Sequence, residues 1–196
     1  MKKNVIRVAV AALLVCAAGT ARAVPTDGGE WTIGAGETET LAAAATVSRL
    51  AVDGSLTLGA GAALTANGAV VNCISTGDGM VADMTIASGA SFASQGNLTG
   101  ANPGNTQGFS IGTYGGTGTV TVASGGTLTV TAPTIACGAW FPEPVSGTTY
   151  DLDALPVASI INLEEGGVLE TGLFQNNDAS RNVINFKGGT LRLTRE

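Results

Sequence analysis

The sequence predicts an all-β fold, a right-handed parallel β-helix (solenoid) in which about six coils stack along one axis. Three observations predict it. One short motif recurs six times, apolar residues alternate with Thr or Asn inside each copy, and the composition suits short strands joined by tight turns. There are 29 glycines in 196 residues and only 12% charged residues, where an average domain carries about a quarter. Disorder would need more charge and fewer apolar residues than the 44% present.

Taken in chain order, the segment 1–23 belongs to export rather than to the fold. Lys2, Lys3 and Arg7 make a positive start, Val8 to Gly19 an apolar run, and Ala21-Arg22-Ala23 a small-x-small cleavage pattern. The apolar run is shorter than the roughly 20 residues a membrane helix needs. Cys16 follows Val15, where a lipoprotein signal would place a small residue, so plain cleavage near Ala23 is expected. The mature domain is then 24–196, secreted or at the cell surface, with no later stretch able to span a bilayer. Loss of the signal leaves Arg49, Arg181, Lys187, Arg192 and Arg195 against fifteen acids, a net charge of −10. That balance argues against nucleic acid and anionic membranes, which select basic patches.

The motif reads apolar, Thr or Asn, apolar, two spacers, Gly, usually Ala or Gly, one residue, apolar. Its copies begin at Trp31, Leu56, Met84, Val120, Ile161 and Ile184, at successive intervals of 25, 28, 36, 41 and 23. In the first copy Glu39 occupies the last apolar position and Leu41 substitutes for it. The core period is thus roughly 23–28 residues, as repeat architectures require, and the two long intervals mark inserted loops at 94–108 and 138–156. Period-two alternation turns the apolar residues to one side and the Thr or Asn to the other. The glycines allow a turn of positive φ before the next strand. A single unit cannot bury its apolar face, but stacked units can. Stacking predicts three apolar columns: Leu56, Met84, Val120, Ile161, Ile184; Leu58, Ile86, Val122, Leu163, Phe186; and Leu64, Phe92, Leu128, Leu169, Leu191. An antiparallel β-sandwich of glycine-turn hairpins satisfies the same alternation, though it has no need of one motif six times.

Two stretches, IGTYGGTGTVTVASGGTLTV at 111–130 and INLEEGGVLETGLFQ…VINFKGGTLRL within 161–193, resemble the autotransporter-associated β-strand repeat of large secreted and surface proteins. The resemblance covers under half of the mature chain. It implies a right-handed β-helical passenger domain: an extracellular stalk, adhesin or matrix component. The chain departs from a complete autotransporter in lacking the short alternating strands of a C-terminal translocator barrel. It also stops on a repeat without a polar cap. The expectation is a truncated product or the first part of a longer protein, with end-to-end self-association through uncapped coils.

Chemistry-bearing residues are few. Histidine is absent, which removes His-based triads, bases and metal ligands. Two mature cysteines, Cys73 and Cys137, cannot build a Cys-rich zinc site. The step from Leu56 to Cys73 equals that from Val120 to Cys137, with the Met84 copy between. The two should share a column two rungs apart, roughly 9.6 Å, too far for a disulfide. The run Gly115 to Val120 has Val120 where a calcium-binding β-roll needs an Asp. A glycan-cleaving β-helix would need clustered carboxylates beside a basic partner. Glu143, Asp151 and Asp153 cluster, but no Lys or Arg occurs between Arg49 and Arg181.

No catalytic residue, metal site or cofactor is therefore expected. The 94–108 loop is polar and reads as a surface excursion. The 138–156 insertion differs, gathering Trp140, Phe141 and Tyr150 beside Pro142, Pro144, Pro156 and the acids Asp151 and Asp153. Proline-stiffened exposed aromatics are low-entropy contacts for a glycan ring or a protein. These five aromatic and acidic residues are the candidate binding set. The function expected is a non-catalytic structural or adhesive surface module that meets a cell-surface or extracellular glycan or protein. A carbohydrate-binding module is the alternative, and a polysaccharide lyase or hydrolase a more remote one.

Overall fold

A computed structural model describes residues 24–25, 28–71, 82–96, 107–112, 117–131, 134–137, 159–176 and 182–194. Eighteen strands among these residues form three parallel sheets of six, and the chain visits the sheets in strict rotation. The first sheet holds β1 (Glu30–Ile33), β4 (Arg49–Val52), β7 (Ala69–Val71), β10 (Gln107–Ile111), β13 (Thr134–Cys137) and β16 (Phe174–Asn176). The second holds β2 (Thr38–Leu41), β5 (Ser55–Leu58), β8 (Ala82–Ile86), β11 (Gly118–Val122), β14 (Ser159–Glu164) and β17 (Asn182–Lys187). The third holds β3 (Ala44–Val47), β6 (Ala63–Ala66), β9 (Ser91–Ser94), β12 (Thr127–Val130), β15 (Val168–Thr171) and β18 (Thr190–Leu193). Three strands per coil and six coils define a parallel β-helix, with about 24 Å between first and last rung at the strand spacing.

All three predicted columns are present residue for residue. Leu56, Met84, Val120, Ile161 and Ile184 are register partners in the second sheet, as are Leu58, Ile86, Val122, Leu163 and Phe186. Leu64, Phe92, Leu128, Leu169 and Leu191 stack in the third. Alternation is the cause: Leu128 is fully buried while Thr129 beside it is half-buried on the outside. A further pair of columns lies in the first sheet. One runs Trp31, Leu50, Ala69, Phe109, Ile135, Phe174, and the other passes through Ile33, Val52, Val71, Ile111 and Cys137. Where columns from different sheets meet, Phe92 and Phe109 pack edge to face with ring centres 5.6 Å apart.

The first copy of the motif is misplaced by the sequence reading. Trp31 does not stand under Leu56; it belongs to the first sheet and pairs with Leu50. The residue under Leu56 is Glu39, followed by Leu41 under Leu58 and Ala45 under Leu64. WTI matches the motif because any inward-outward-inward strand does, and only the pairing separates a first-sheet strand from a second-sheet one. The correction shortens the coil. One full turn carries Glu39 to Leu56, and another carries Trp31 to Leu50. An uninterrupted coil is therefore shorter than the period read from the motif, and the step from Leu56 to Met84 already contains an insertion.

Turns between the second and third sheets share one glycine in every coil from the second onward. Gly61, Gly89, Gly125, Gly166 and Gly188 all take φ between 73° and 90°, the region L side chains avoid. They also stack: Gly89 N donates to Gly125 O at 3.0 Å, and Gly125 N to Gly166 O at 3.1 Å. This is the physical basis of the recurrent glycine.

Candidate functional site

The corner between the first and second sheets behaves differently. In the first coil it is the short turn between Ile33 and Thr38, and in the second only Asp53 and Gly54. In the third it spans 72–81, in the fourth 112–117, in the fifth 138–158 and in the sixth 177–181. Most of the length variation in the chain thus leaves from one edge of the prism. The main exception is 95–106, between β9 and β10, at the corner of the third and first sheets. Insertions segregate this way in solenoids because a corner can lengthen without breaking a column, whereas a strand cannot.

Roots of the longest insertion are fastened to the coil above. Cys137 ends β13 and Ser159 begins β14, and both are buried. Ser159 Oγ donates to Asn182 Oδ1 at 2.6 Å, and Asn182 Nδ2 donates to the Cys137 carbonyl at 3.3 Å. Burial pushes the Cys137 thiol up to about 11, against a smaller opposing effect of its hydrogen bond with Ser159. The thiol is free, and at neutral pH it is a protonated packing group rather than a nucleophile. One coil lower, Gly118 keeps the corner closed: a Cβ there would collide with the Val71 carbonyl oxygen. Cys137 stacks on Ile111 and then Val71. The position two rungs below it is therefore Val71, not Cys73, because the third coil lengthens after Val71 rather than before it. Cys73 itself lies outside the described residues.

Beside this corner, the outer face of the second sheet carries a polar row: Thr40, Thr57, Thr85, Thr121, Asn162 and Asn185. Asn162 Nδ2 donates to Thr121 Oγ1 at 3.2 Å, and Asn185 Nδ2 to Asn162 Oδ1 at 2.8 Å. Charged groups on the outside also pair vertically, Lys187 with Glu164 at 2.8 Å and Arg192 with Glu170 at 2.6 Å. Glu164 thus faces outward into an ion pair, and Glu165 beside it is exposed in the turn. At the corner of the second coil, partial burial holds the Asp53 carboxyl above its usual range, with Arg49 pulling the other way.

Trp140, Phe141, Tyr150, Asp151 and Asp153 all lie outside the described residues, so the structure locates their segment by its two ends, Cys137 and Ser159. Among the described residues no group of three His, Cys, Asp or Glu side chains is placed to hold a metal ion. No described helix is long and apolar enough to cross a membrane. Sequence reasoning missed the third-coil insertion and the common corner. Their signal was the short apolar strand that ends at this corner in successive coils, whether or not an insertion follows: LAV at 50–52, AVV at 69–71, FSI at 109–111 and TIAC at 134–137.

The class is thus that of a parallel β-helix, a repeat scaffold with most of its length variation at one corner. Compared with known proteins, the chain matches no family model, no curated relative and no solved structure.

Proposed function

We propose that this chain is an exported structural or adhesive surface module in which the β-helix holds recognition loops out from one corner. The observation that carries the reading is the contrast between corners. One is a uniform stack of tight glycine turns, while its neighbour varies from Asp53-Gly54 alone to the whole of 138–158. Loops on a rigid repeat are where such scaffolds place recognition. The composition of 138–158 supports the reading, with Trp140, Phe141 and Tyr150 as contact surfaces and Asp151 and Asp153 as hydrogen-bond acceptors. So does the resemblance to autotransporter-associated repeats, whose passengers work outside the cell. The signal-like start at 1–23 supports secretion or surface display.

The aromatic content of the loop favours a glycan as the contact, which makes a carbohydrate-binding module the second reading. Incubating the chain from Val24 onward with plant and mucin polysaccharides tests both. The expected result is retention of the protein with no new reducing or unsaturated ends. New ends would replace the proposal with a glycan-cleaving activity, and absence of retention on every surface would remove adhesion.

A further inference from the structure

We propose that Asn182 is the positioning residue of the 138–158 loop, its amide clamping the two ends of the loop together from the next coil. The proposal rests on the reading of this loop as the contact surface. The clamp lies in one column. Ala82, Gly118, Ser159 and Asn182 open β8, β11, β14 and β17, and each is the register partner of the next. All four stand at the corner from which most of the insertions leave. At Ala82 and Gly118 the column carries a methyl group or none, and the Val71 carbonyl leaves no space for a Cβ at Gly118. The 72–81 insertion therefore closes on Ala82 with Gly118 above it, and neither brings a polar side chain. At the longest insertion the column changes to a hydroxyl and then an amide.

An amide suits the task because it sets an acceptor and a donor side by side. Ser159 Oγ donates to Asn182 Oδ1 at 2.6 Å, and Asn182 Nδ2 donates to the Cys137 carbonyl at 3.3 Å. One side chain thus holds the residue before the loop and the residue after it. Ser159 is 1% exposed and Cys137 4%, so water competes little for either bond. The Cys137 thiol also hydrogen-bonds Ser159, which closes a ring of three residues across the mouth of the loop.

The short corners show what the clamp replaces. In the second coil Asp53 and Gly54 alone join Val52 to Ser55, and so short a link fixes both strand ends by itself. A connection as long as 138–158 leaves the setting of its ends to other contacts, because the entropy of closing a loop changes only slowly with length. Asn182 supplies that contact from the sixth coil. Its effect on binding is entropic: a loop whose ends are already set loses less freedom on meeting a ligand.

Two readouts on the chain from Val24 onward test this. The first is alkylation of the native Cys137 thiol by iodoacetamide, with peptide mass spectrometry separating it from Cys73. Asn182→Ala should raise the Cys137 rate by at least about tenfold through local opening of the corner. Asn182→Asp keeps the bond from Ser159 and loses only the one to Cys137, so its rate should fall between. Asn185→Ala is the control: it lies on the same strand and gives up a bond to Asn162 of 2.8 Å, away from the corner. It should leave the Cys137 rate near that of the parent, and circular dichroism checks that all three variants remain folded. The second readout is retention on the plant or mucin polysaccharide that holds the parent. Asn182→Ala should weaken it about tenfold, and Asn185→Ala should not. An unchanged Cys137 rate in Asn182→Ala, an equal rise in Asn185→Ala, or retention unaffected by Asn182→Ala would each overturn the proposal. A parent retained on no surface would overturn the adhesion reading and the role in recognition together, and Cys137 rates that still follow Asn182 would then keep only the clamp.

Discussion

Burial in this molecule is decided one side chain at a time, and neighbours in sequence have opposite fates. Leu128 sits at 0% exposure between Phe92 and Leu169, while Thr129 stands outside between Ala93 and Glu170. Leu128→Asp should therefore cost more than about 4 kcal/mol, by placing an unpaired charge in an apolar column. Thr129→Asp should cost less than about 1 kcal/mol. Chemical denaturation of the two variants checks this, and equal losses would contradict the register. Cys137 provides a second test. Its thiol is protonated in the fold up to about 11, against an ordinary value of 9.0. As pH rises past 9.0 the unfolded chain ionises first, so stability is retained below that value and falls as pH climbs toward about 11. The shift corresponds to about 2–3 kcal/mol. Replacing Cys137 with Ala should flatten stability over that range, and alkylation of the native thiol at neutral pH should be slow until the chain unfolds.

Strands and turns are unequally legible in the sequence. The second and third sheets can be read because the same glycine turn joins their strands, which aligns Leu56 with Met84 and Leu64 with Phe92 without any structure. First-sheet strands precede corners of changing length, so Trp31, Leu50, Phe109 and Ile135 have no common offset from the glycine-turn motif that follows each of them. That is also why the motif sets its first copy on Trp31 instead of Glu39. The candidate binding residues of 138–158 rest on composition alone, and only the placement of Cys137 and Ser159 shows which edge they leave from. Glycines at the corner of the first and second sheets should respond differently according to the space beside them. Gly36 has positive φ and open space around its missing side chain, so Gly36→Ala should cost about 1 kcal/mol in backbone strain. Gly118 has no room beside the Val71 carbonyl, and Gly118→Ala should cost about 3 kcal/mol through displaced backbone. Thermal melts of the two variants, compared with the parent, give the ranking.

For the whole molecule, each coil contributes a slice to one continuous core, and the slices are held by register rather than by any single strong contact. Solenoids built this way tolerate change at a corner far better than change in a column, because neighbouring coils keep their contacts when a loop is altered. The central claim is that coil and corner are separate: columns make the scaffold and the 138–158 insertion does the recognising. One measurement tests it most directly. The segment 139–155 is deleted and closed with a Gly-Ser link, and melting temperature and adhesion to glycan- and matrix-coated surfaces are measured beside the parent chain. The account predicts a melting temperature within a few degrees of the parent together with loss of adhesion. A sharp fall in melting temperature, or adhesion undiminished by the deletion, would contradict it.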